Sequence, residues 1–284
     1  MIVKANAKVN LSLDITGKRA DGYHTLCSVM QSVTLCDTLE LVPSDGISVS
    51  CDREELSGDD NLAVKAAKLF FEKAKLSDGV HIKIKKQIPI AGGLGGGSAD
   101  AAAVLVALNR MYDIPFSMDE LSSMALSLGA DVPFCLVGGT QLAKGIGEEL
   151  TVLPSLPECN IVIAKKGIKS STKDMYRAID STKPKKMSNT DGIIRALNSG
   201  DINDMCQYLY NRFEEVAEQS ILLEAKNIML TNRSLYSGLS GAGPSVIGIF
   251  KTDNEAKLVV DDLKEKGFEA FLCEPAKSGI EIIE

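Results

Sequence analysis

Apolar and polar residues alternate through the first third of the chain. In residues 3–15, Val9, Leu11, Leu13 and Ile15 occupy every second position, which is the period of a β-strand. The same alternation predicts further strands at 28–42, 47–51 and 81–86. Before the last of these, apolar residues recur at helical spacing. A helix is therefore predicted from Asp60, its expected N-cap, to about Leu76.

The middle of the chain carries boundary signals. Ser117 to Glu120 has the sequence of a capping box, and Gly129 is the expected end of the helix that it begins. The apolar residues of 134–153 predict a hairpin of strands that is interrupted at its glycines. Pro154 to Pro157 breaks the composition, which predicts two domains, 1–155 and 156–284.

The second half alternates short apolar runs with longer helical patterns. Helices are predicted at 171–181, 190–198, 202–218, 220–231 and 253–266. Strands are predicted at 160–165, 246–250, 269–273 and 280–283. Strands that are separated by helices in this way predict an α+β fold.

A glycine-rich segment, Pro89 to Asp100, leads into an alanine-rich helical run. Five of its twelve residues are glycine, so backbone N–H groups can approach a ligand closely. Amide donors at the positive end of a helix dipole suit a polyphosphate. The segment lacks the Lys-Ser or Lys-Thr of a P-loop and the third glycine of a dinucleotide fingerprint. A tight turn packed on the core is the alternative interpretation.

Composition narrows the class of protein without identifying it. The chain has 284 residues, a formal net charge of −7 and a pI near 5.1, which argues against nucleic acid or an anionic membrane surface as a partner. No apolar run approaches the roughly 18 residues of a membrane span, and the N-terminal residues lack the apolar core of a signal peptide. Seven scattered cysteines without C-x-x-C spacing favour reduced thiols. A cytoplasmic location is therefore expected.

Few polar residues stand out against this background. Lys8 and Asn10 share one face of the first predicted strand, and on their own they would be ordinary surface residues. Asp131 lies between a predicted helix end and an apolar run, where a turn cap is its commoner role and a positioned base is the alternative. Tyr23 and His24 lie in a predicted turn, where the aromatic pair either covers the core edge or holds a base or sugar.

Three separated segments resemble the three motifs of the GHMP kinases, a superfamily that includes galactokinase, homoserine kinase, mevalonate kinase and phosphomevalonate kinase. They are Ala5 to Leu11, Pro89 to Ala99 and Leu239 to Ser245. Two more, Gly17 to His24 and Gly129 to Phe134, resemble the branch that phosphorylates a cytidine diphosphate-linked methylerythritol in the non-mevalonate route to isoprenoid precursors. The resemblance implies a two-domain α+β fold with the active site in the cleft between the domains.

The resemblance also implies the chemistry of the site. ATP with Mg²⁺ would be the phosphoryl donor, and Asp131 would be the base for the 2-hydroxyl group of the acceptor. Lys8 would keep that carboxylate ionised, and Asn10 would orient the same group. The metal ligands are left open, with the Ser98 hydroxyl as a candidate and with Ala99 where the superfamily often has a second serine.

Further positions follow from the resemblance in the same way. The ATP phosphates would bind the glycine loop, which consists of Pro89, Ile90, Ala91, Gly92, Gly93, Leu94, Gly95, Gly96, Gly97, Ser98 and Ala99. Asn61 and Lys86 would lie near the adenine. The acceptor would contact Tyr23, His24, Thr172 and Tyr176, with the cytosine stacked between aromatic rings.

Two other functions stay open from the sequence. One is a different small-molecule kinase of the superfamily, of the homoserine or mevalonate type. The other is a sensor that binds nucleotide without turnover, although both Lys8 and Asp131 are present. A monomer and a homodimer are equally compatible with the sequence.

Overall fold

The computed structural model describes residues 1–167 and 171–284. Its strands are β1 (Ile2–Lys18), β2 (His24–Ser44), β3 (Ser48–Cys51), β4 (Gly79–Lys85), β5 (Thr140–Lys144), β6 (Glu149–Val152), β7 (Asn160–Lys165), β8 (Tyr236–Leu239), β9 (Val246–Phe250), β10 (Glu269–Cys273) and β11 (Ile280–Ile282). Its α-helices are α1 (Leu62–Ala74), α2 (Gly96–Met111), α3 (Met118–Leu128), α4 (Val132–Val137), α5 (Thr172–Asp180), α6 (Thr190–Ser199), α7 (Ile202–Tyr208), α8 (Gln219–Thr231) and α9 (Asp253–Glu265). Short 3₁₀ turns occupy Glu54–Leu56 and Arg212–Glu215.

The first sheet is built around its two longest strands. β1 and β2 pair antiparallel, and the sheet runs in the order β11-β1-β2-β4-β3, with β5 and β6 added beside β2. The register of β1 on β2 shifts between Asn6 and Lys8 and again between Asn10 and Ser12. Such bulges re-aim the side chains around them, and these two flank the polar pair Lys8 and Asn10.

Helix α2 packs against β1, β2 and α1. The helix is rich in alanine, and Ala99, Ala101, Ala102 and Ala103 are fully buried. Small side chains let a helix approach its neighbours closely. The N-terminus of α2 is therefore held near the polar residues of β1.

The second sheet is antiparallel throughout, in the order β10-β7-β9-β8. Helices α8 and α9 pack on it. Val162, Val246 and Phe250 are among the fully buried residues of its own hydrophobic cluster. Leu13 of β1 also belongs to this cluster, so the first strand contributes to both halves of the molecule.

The predicted α+β class is confirmed, and β7, β9 and β10 begin and end at the predicted residues. The two sheets divide near residue 155, except that β11 returns to pair with β1. The division into domains 1–155 and 156–284 stays a prediction.

Three local predictions are wrong. Residues 134–153 do not begin with a strand, because Val132–Val137 form helix α4, with proline in its first turn where the missing N–H costs nothing. The helix predicted at 202–218 stops at Tyr208. Helix α1 is capped by Asn61, whose side chain accepts a hydrogen bond from the backbone N–H of Ala63, and not by Asp60.

Candidate active site

A cavity of about 640 Å³ opens where β1, the glycine loop, the N-terminus of α2 and the start of α4 meet. Most of the predicted site residues line it. They are Lys8, Asn10, Asn61, Lys86, the loop from Pro89 to Ser98, Asp131, Thr172 and Tyr176. Ala99, Tyr23 and His24 are not in its lining. The fold therefore gathers into one cavity residues that are far apart in the sequence.

The glycine loop needs its glycines at two positions. Gly93 has φ +78°, and a Cβ atom there would lie 2.9 Å from the backbone oxygens of Ser240 and Gly243. Gly95 has φ +72°, and a Cβ atom there would lie 2.8 Å from Cγ of Lys8. Both φ values are in the left-handed region that favours glycine. These two residues let the loop pack against the segment 239–245 on one side and against Lys8 on the other.

Helix α2 begins at Gly96, within this loop. Its first backbone hydrogen bond is donated by the N–H of Ala99 to the carbonyl of Gly95. The N–H groups of Gly96, Gly97 and Ser98 belong to the first turn, which has no preceding helical carbonyls to bond. These amides, together with the Ser98 hydroxyl, face a cavity at the positive end of the helix dipole, which is the arrangement expected of an anion site.

Lys8, Asn10 and Asp131 form a polar group on the cavity wall. The Lys8 ammonium donates to Oδ1 of Asn10 at 2.8 Å and lies 3.4 Å from Oδ2 of Asp131. Asn10 in turn donates to the hydroxyl of Ser28 at 2.8 Å. Lys8 and Asn10 are both buried, so the interpretation of this pair as ordinary surface residues is wrong.

The Asp131 side chain is the open member of this group. It is 43% exposed, whereas that of Lys8 is 6% exposed. Asp131 precedes helix α4, yet its carboxylate makes no capping bond. Because the carboxylate caps no helix and is partly exposed, it is available to a ligand in the cavity. Burial raises the pKa of the nearby Tyr176 hydroxyl, and the charge of Asp131 raises it further.

The segment 239–245, which lies in the second half of the chain, contacts the polar group formed by Lys8, Asn10 and Asp131. The Ser240 hydroxyl accepts a hydrogen bond from the backbone N–H of Asn10 at 3.2 Å. The Asn211 amide donates to the carbonyls of Leu239 and Gly241, at 2.7 and 2.9 Å. Sequence reasoning missed Asn211, which it placed inside the helix predicted at 202–218. The only signal was an asparagine, a capping residue, in the middle of a predicted helix.

Of the predicted acceptor residues, Thr172 and Tyr176 line the cavity, and His24 contacts Tyr176. The rings of His24 and Tyr176 are stacked, with centroids 4.6 Å apart and planes 16° from parallel. Tyr23 is 63% exposed, whereas His24 is the ring that stacks on Tyr176. Thr172 is the first residue of α5, the helix that also carries Tyr176.

Asp180, which was not predicted from the sequence, also lies at this end of the site. Its two carboxylate oxygens lie 2.5 Å from Nζ of Lys18 and 2.6 Å from Nε2 of His24. Lys18 and His24 are cross-strand partners at the end of the β1–β2 hairpin. Hydrogen bonds from Lys18 and His24 lower the pKa of Asp180. One carboxylate of α5 therefore holds the hairpin that carries Tyr23.

Beneath the glycine loop lies a buried group of three charges, which we call the Asp37–Lys86–Asp100 triad. The Lys86 ammonium donates to Asp37 and, at 2.7 Å, to Oδ2 of Asp100. Burial acts to lower the pKa of Lys86, but the charges of Asp100 and Asp37 outweigh it and raise this pKa. Burial raises the pKa of Asp100 to about 7; the Lys86 ammonium opposes this rise and Asp37 adds to it. Neither aspartate was predicted from the sequence.

Comparison with known families covers both halves of the chain. Residues 61–139 match the family "GHMP kinases N terminal domain", and residues 193–269 match "GHMP kinases C terminal". These matches define a kinase of small molecules.

Curated relatives are similar over nearly their whole length. The chain is 44% identical to a 4-diphosphocytidyl-2-C-methyl-D-erythritol kinase of Caldicellulosiruptor saccharolyticus, covering 93% of each chain. It is 41% identical to the enzyme of the same name from Thermoanaerobacter pseudethanolicus, covering 99% of this chain and 98% of the other. The chain belongs to the GHMP kinase superfamily and, within it, to the family of these relatives.

Solved structures agree with this assignment. A crystal structure of a 4-(cytidine 5'-diphospho)-2C-methyl-D-erythritol kinase superposes with a TM-score of 0.84 at 32% identity, covering 97% of this chain and 100% of the other. A homoserine kinase from Cytophaga hutchinsonii superposes with a TM-score of 0.79 at 19% identity, which shows a shared fold only. In the described part of the chain, no helix is long and apolar enough to cross a membrane.

Proposed function

We propose that this kinase transfers the γ-phosphoryl group of ATP to the 2-hydroxyl of 4-(cytidine 5'-diphospho)-2-C-methyl-D-erythritol. The proposal is supported by relatives of that name at 39–44% identity over almost the whole chain. The observation that carries the chemistry is the 3.4 Å pair of Lys8 and Asp131 in the same cavity as the first turn of α2.

Asp131 acts as the base in this reaction. Its carboxylate accepts the proton of the 2-hydroxyl while that oxygen bonds to the γ-phosphorus and the bond from phosphorus to the ADP oxygen breaks. The Lys8 ammonium lies 3.4 Å from that carboxylate and stabilises the negative charge that develops on the acceptor oxygen. Asn10 fixes the position of the Lys8 ammonium through their 2.8 Å hydrogen bond.

The donor phosphates bind at the N-terminus of α2. The amides of Gly96, Gly97 and Ser98 and the helix dipole attract them. Asn61 and Lys86 border the adenine end of the cavity. The Asn61 side chain accepts from Ala63 and donates to the carbonyl of Leu56 at 2.8 Å, so it shapes this wall through local structure.

We include Mg²⁺ as the partner of ATP. In residues 1–167 and 171–284, no group of three or more His, Cys, Asp or Glu side chains is placed to hold a metal ion. The chain would therefore contribute the Ser98 hydroxyl, a hard oxygen ligand that suits Mg²⁺, beside the phosphate oxygens of the nucleotide. When bound, the ion supplies neutralisation of the phosphate charge.

The acceptor's cytosine binds at the end of the cavity that carries Tyr176. An aromatic ring offers a flat surface on which a base can stack, and His24 and Tyr23 lie on the adjoining hairpin. Thr172 contributes a hydroxyl group at the start of α5. The seven cysteines are all unpaired, which supports our proposal of a cytoplasmic location.

A panel of acceptors tests the proposed function. The purified protein is incubated with ATP and Mg²⁺ and either the cytidine diphosphate compound, mevalonate or homoserine, and the products are followed by ³¹P NMR. We expect phosphorylation of the cytidine compound alone. Phosphorylation of mevalonate or homoserine, without that of the cytidine compound, would reject the proposal.

A further inference from the structure

The Asp37–Lys86–Asp100 triad is almost completely shielded from solvent. The side chains of Asp37, Lys86 and Asp100 are 0%, 5% and 3% exposed. Lys86 Nζ also lies at the positive end of α2, because a Cβ atom on Gly96 would be 3.3 Å from it. A buried ammonium in that position is unfavourable without partners, and the two carboxylates provide them.

The triad connects both ends of the glycine loop to one strand. Before the loop, Oδ1 of Asp37 accepts hydrogen bonds from the backbone N–H groups of Gln87 and Ile88, at 2.6 and 2.9 Å. After the loop, Asp100 lies near the start of α2 and bonds Lys86. Asp37 itself belongs to β2. The residues that enter the loop are therefore bonded to Asp37 directly, and the helix that leaves it is linked to Asp37 through the Lys86 ammonium.

Stability does not explain why a second carboxyl group is present. Lys86 and Asp37 alone would form a neutral pair, and Asp100 adds a second buried carboxylate. Its Oδ1 atom is buried and has no hydrogen-bond partner among the described residues. A buried polar atom without a partner is costly, and a buried ion pair is weak evidence for stability. The position of Asp100 at the phosphate end of the cavity points to a role in function.

We propose that Asp37, Lys86 and Asp100 are positioning residues that hold the glycine loop in its phosphate-binding shape before ATP arrives. This inference rests on the proposed function of the loop. Two of the three N–H donors of the Lys86 ammonium are bonded to the carboxylates of Asp37 and Asp100. Lys86 therefore acts on the loop and on helix α2 through these two carboxylates. Loss of the triad then weakens ATP binding, because part of the binding energy is used to order the loop.

The test removes a pair of opposite charges together. In the variant Lys86→Met/Asp100→Asn, Asp37 still accepts the Gln87 and Ile88 amides, so folding is better protected than when Lys86 alone is lost. We expect the KM for ATP to rise about tenfold, with kcat and the KM for the acceptor changed less than about threefold. Hydrogen exchange of the amides of residues 90–98, without nucleotide, should become faster while the exchange of β7 to β10 is unchanged.

A matched control lies on β2 and β4. Lys83 and Glu40 pair across β4 and β2 at 3.1 Å, but both are exposed. Lys83→Met/Glu40→Gln should leave the KM for ATP and the loop exchange as in the wild type.

Separate outcomes distinguish this inference from the proposed function. A wild-type protein that phosphorylates none of the acceptors contradicts the proposed function. An active Lys86→Met/Asp100→Asn variant with a wild-type KM for ATP, or with wild-type exchange in the loop, overturns the positioning role. If that variant does not fold, Asp100→Asn alone is measured in the same way, because it leaves the neutral Lys86–Asp37 pair, and a wild-type KM for ATP again overturns the role.

Discussion

The two ends of the cavity are built differently. At the donor end, the glycine loop rests on three buried charges and packs against Lys8 and the segment 239–245. At the acceptor end, Tyr23 is exposed and the hairpin is held by Asp180, whose side chain is 38% exposed. Buried groups that are bonded to one another fix a shape, whereas exposed ion pairs contribute little and are screened by water and salt.

This difference suggests a division of tasks. All kinases of the superfamily use the same donor, so a donor end fixed by the core of the fold is suitable for it. The acceptor differs among them, and an acceptor end made of surface side chains can change without disturbing the core. Substitutions at the donor end should therefore have larger consequences than those at the acceptor end, except where the acceptor oxygen itself reacts.

The largest effect is expected from Asp131→Asn. The amide cannot accept the proton of the acceptor hydroxyl, so kcat should fall by about 10²- to 10⁴-fold. ATP binding, measured by calorimetry, should be retained. Asp119→Asn, which changes an exposed carboxylate on α3, serves as the control. A kcat near that of the wild type in Asp131→Asn would remove Asp131 as the base.

The next largest effect is expected from adding a methyl group at Gly95. Gly95→Ala combines a left-handed φ with a Cβ atom 2.8 Å from Cγ of Lys8, and strain with overpacking costs about 1–3 kcal/mol. We expect kcat/KM for ATP to fall roughly 10- to 100-fold.

The control for this change is Gly97→Ala in the same loop. There the nearest atom to a Cβ would be Cδ1 of Leu62 at 3.6 Å, which is an ordinary contact. Steady-state kinetics of the two variants should therefore separate clearly. Equal losses in both would show that the close approach to Lys8 is not what the glycine provides.

A smaller effect is expected from Tyr176→Ala. Stacking of a base on an aromatic ring contributes about 1–3 kcal/mol, so the KM for the acceptor should rise roughly tenfold, while the KM for ATP stays unchanged. Tyr176→Phe keeps the ring and should behave like the wild type. The proposed cytosine site would be rejected by an unchanged acceptor KM in Tyr176→Ala.

The smallest effect is expected from Asp180→Asn, and it should depend on pH. Because Lys18 and His24 lower the pKa of Asp180, its carboxylate contributes stability above the ordinary pKa of an aspartate. That contribution is lost as the pH falls through the lowered value. Urea unfolding should show a small difference between Asp180→Asn and the wild type at about pH 5 and above. The difference should disappear only in stronger acid, and a difference that grows there would contradict the assignment.

Much of the fold could be predicted from the sequence because short apolar runs stand between clear turn residues. The strands β7, β9 and β10 are of this kind. Helix α4 could not be predicted, because six apolar residues have no period that separates a buried helix from a buried strand. The end of helix α7 at Tyr208 also could not be predicted, because it depends on the hydrogen bonds that Asn211 donates to the carbonyls of Leu239 and Gly241.

The residues of the candidate site also fall into two groups, those that the sequence predicts and those that it does not. Lys8, Asp131 and the glycine loop lie in motifs that can be recognised along the chain, and the cavity brings them together. Asp37, Asp100 and Asp180 are ordinary aspartates in the sequence. Their importance arises from partners 14 to 162 residues away, which only the folded chain reveals. The individual roles of the site residues stay predictions.

The pairing of β11 with β1 has a consequence for synthesis on the ribosome. β1 carries Lys8, and its outer edge is covered at Val3, Lys4 and Ala5 by residues 280–282. β1 is therefore synthesised long before β11 and keeps an open edge until residues 280–282 have been translated, and open edges invite pairing with other chains. Stalled or truncated products that lack residues 280–282 should accordingly be prone to aggregation, even though every residue proposed here for catalysis has already been translated.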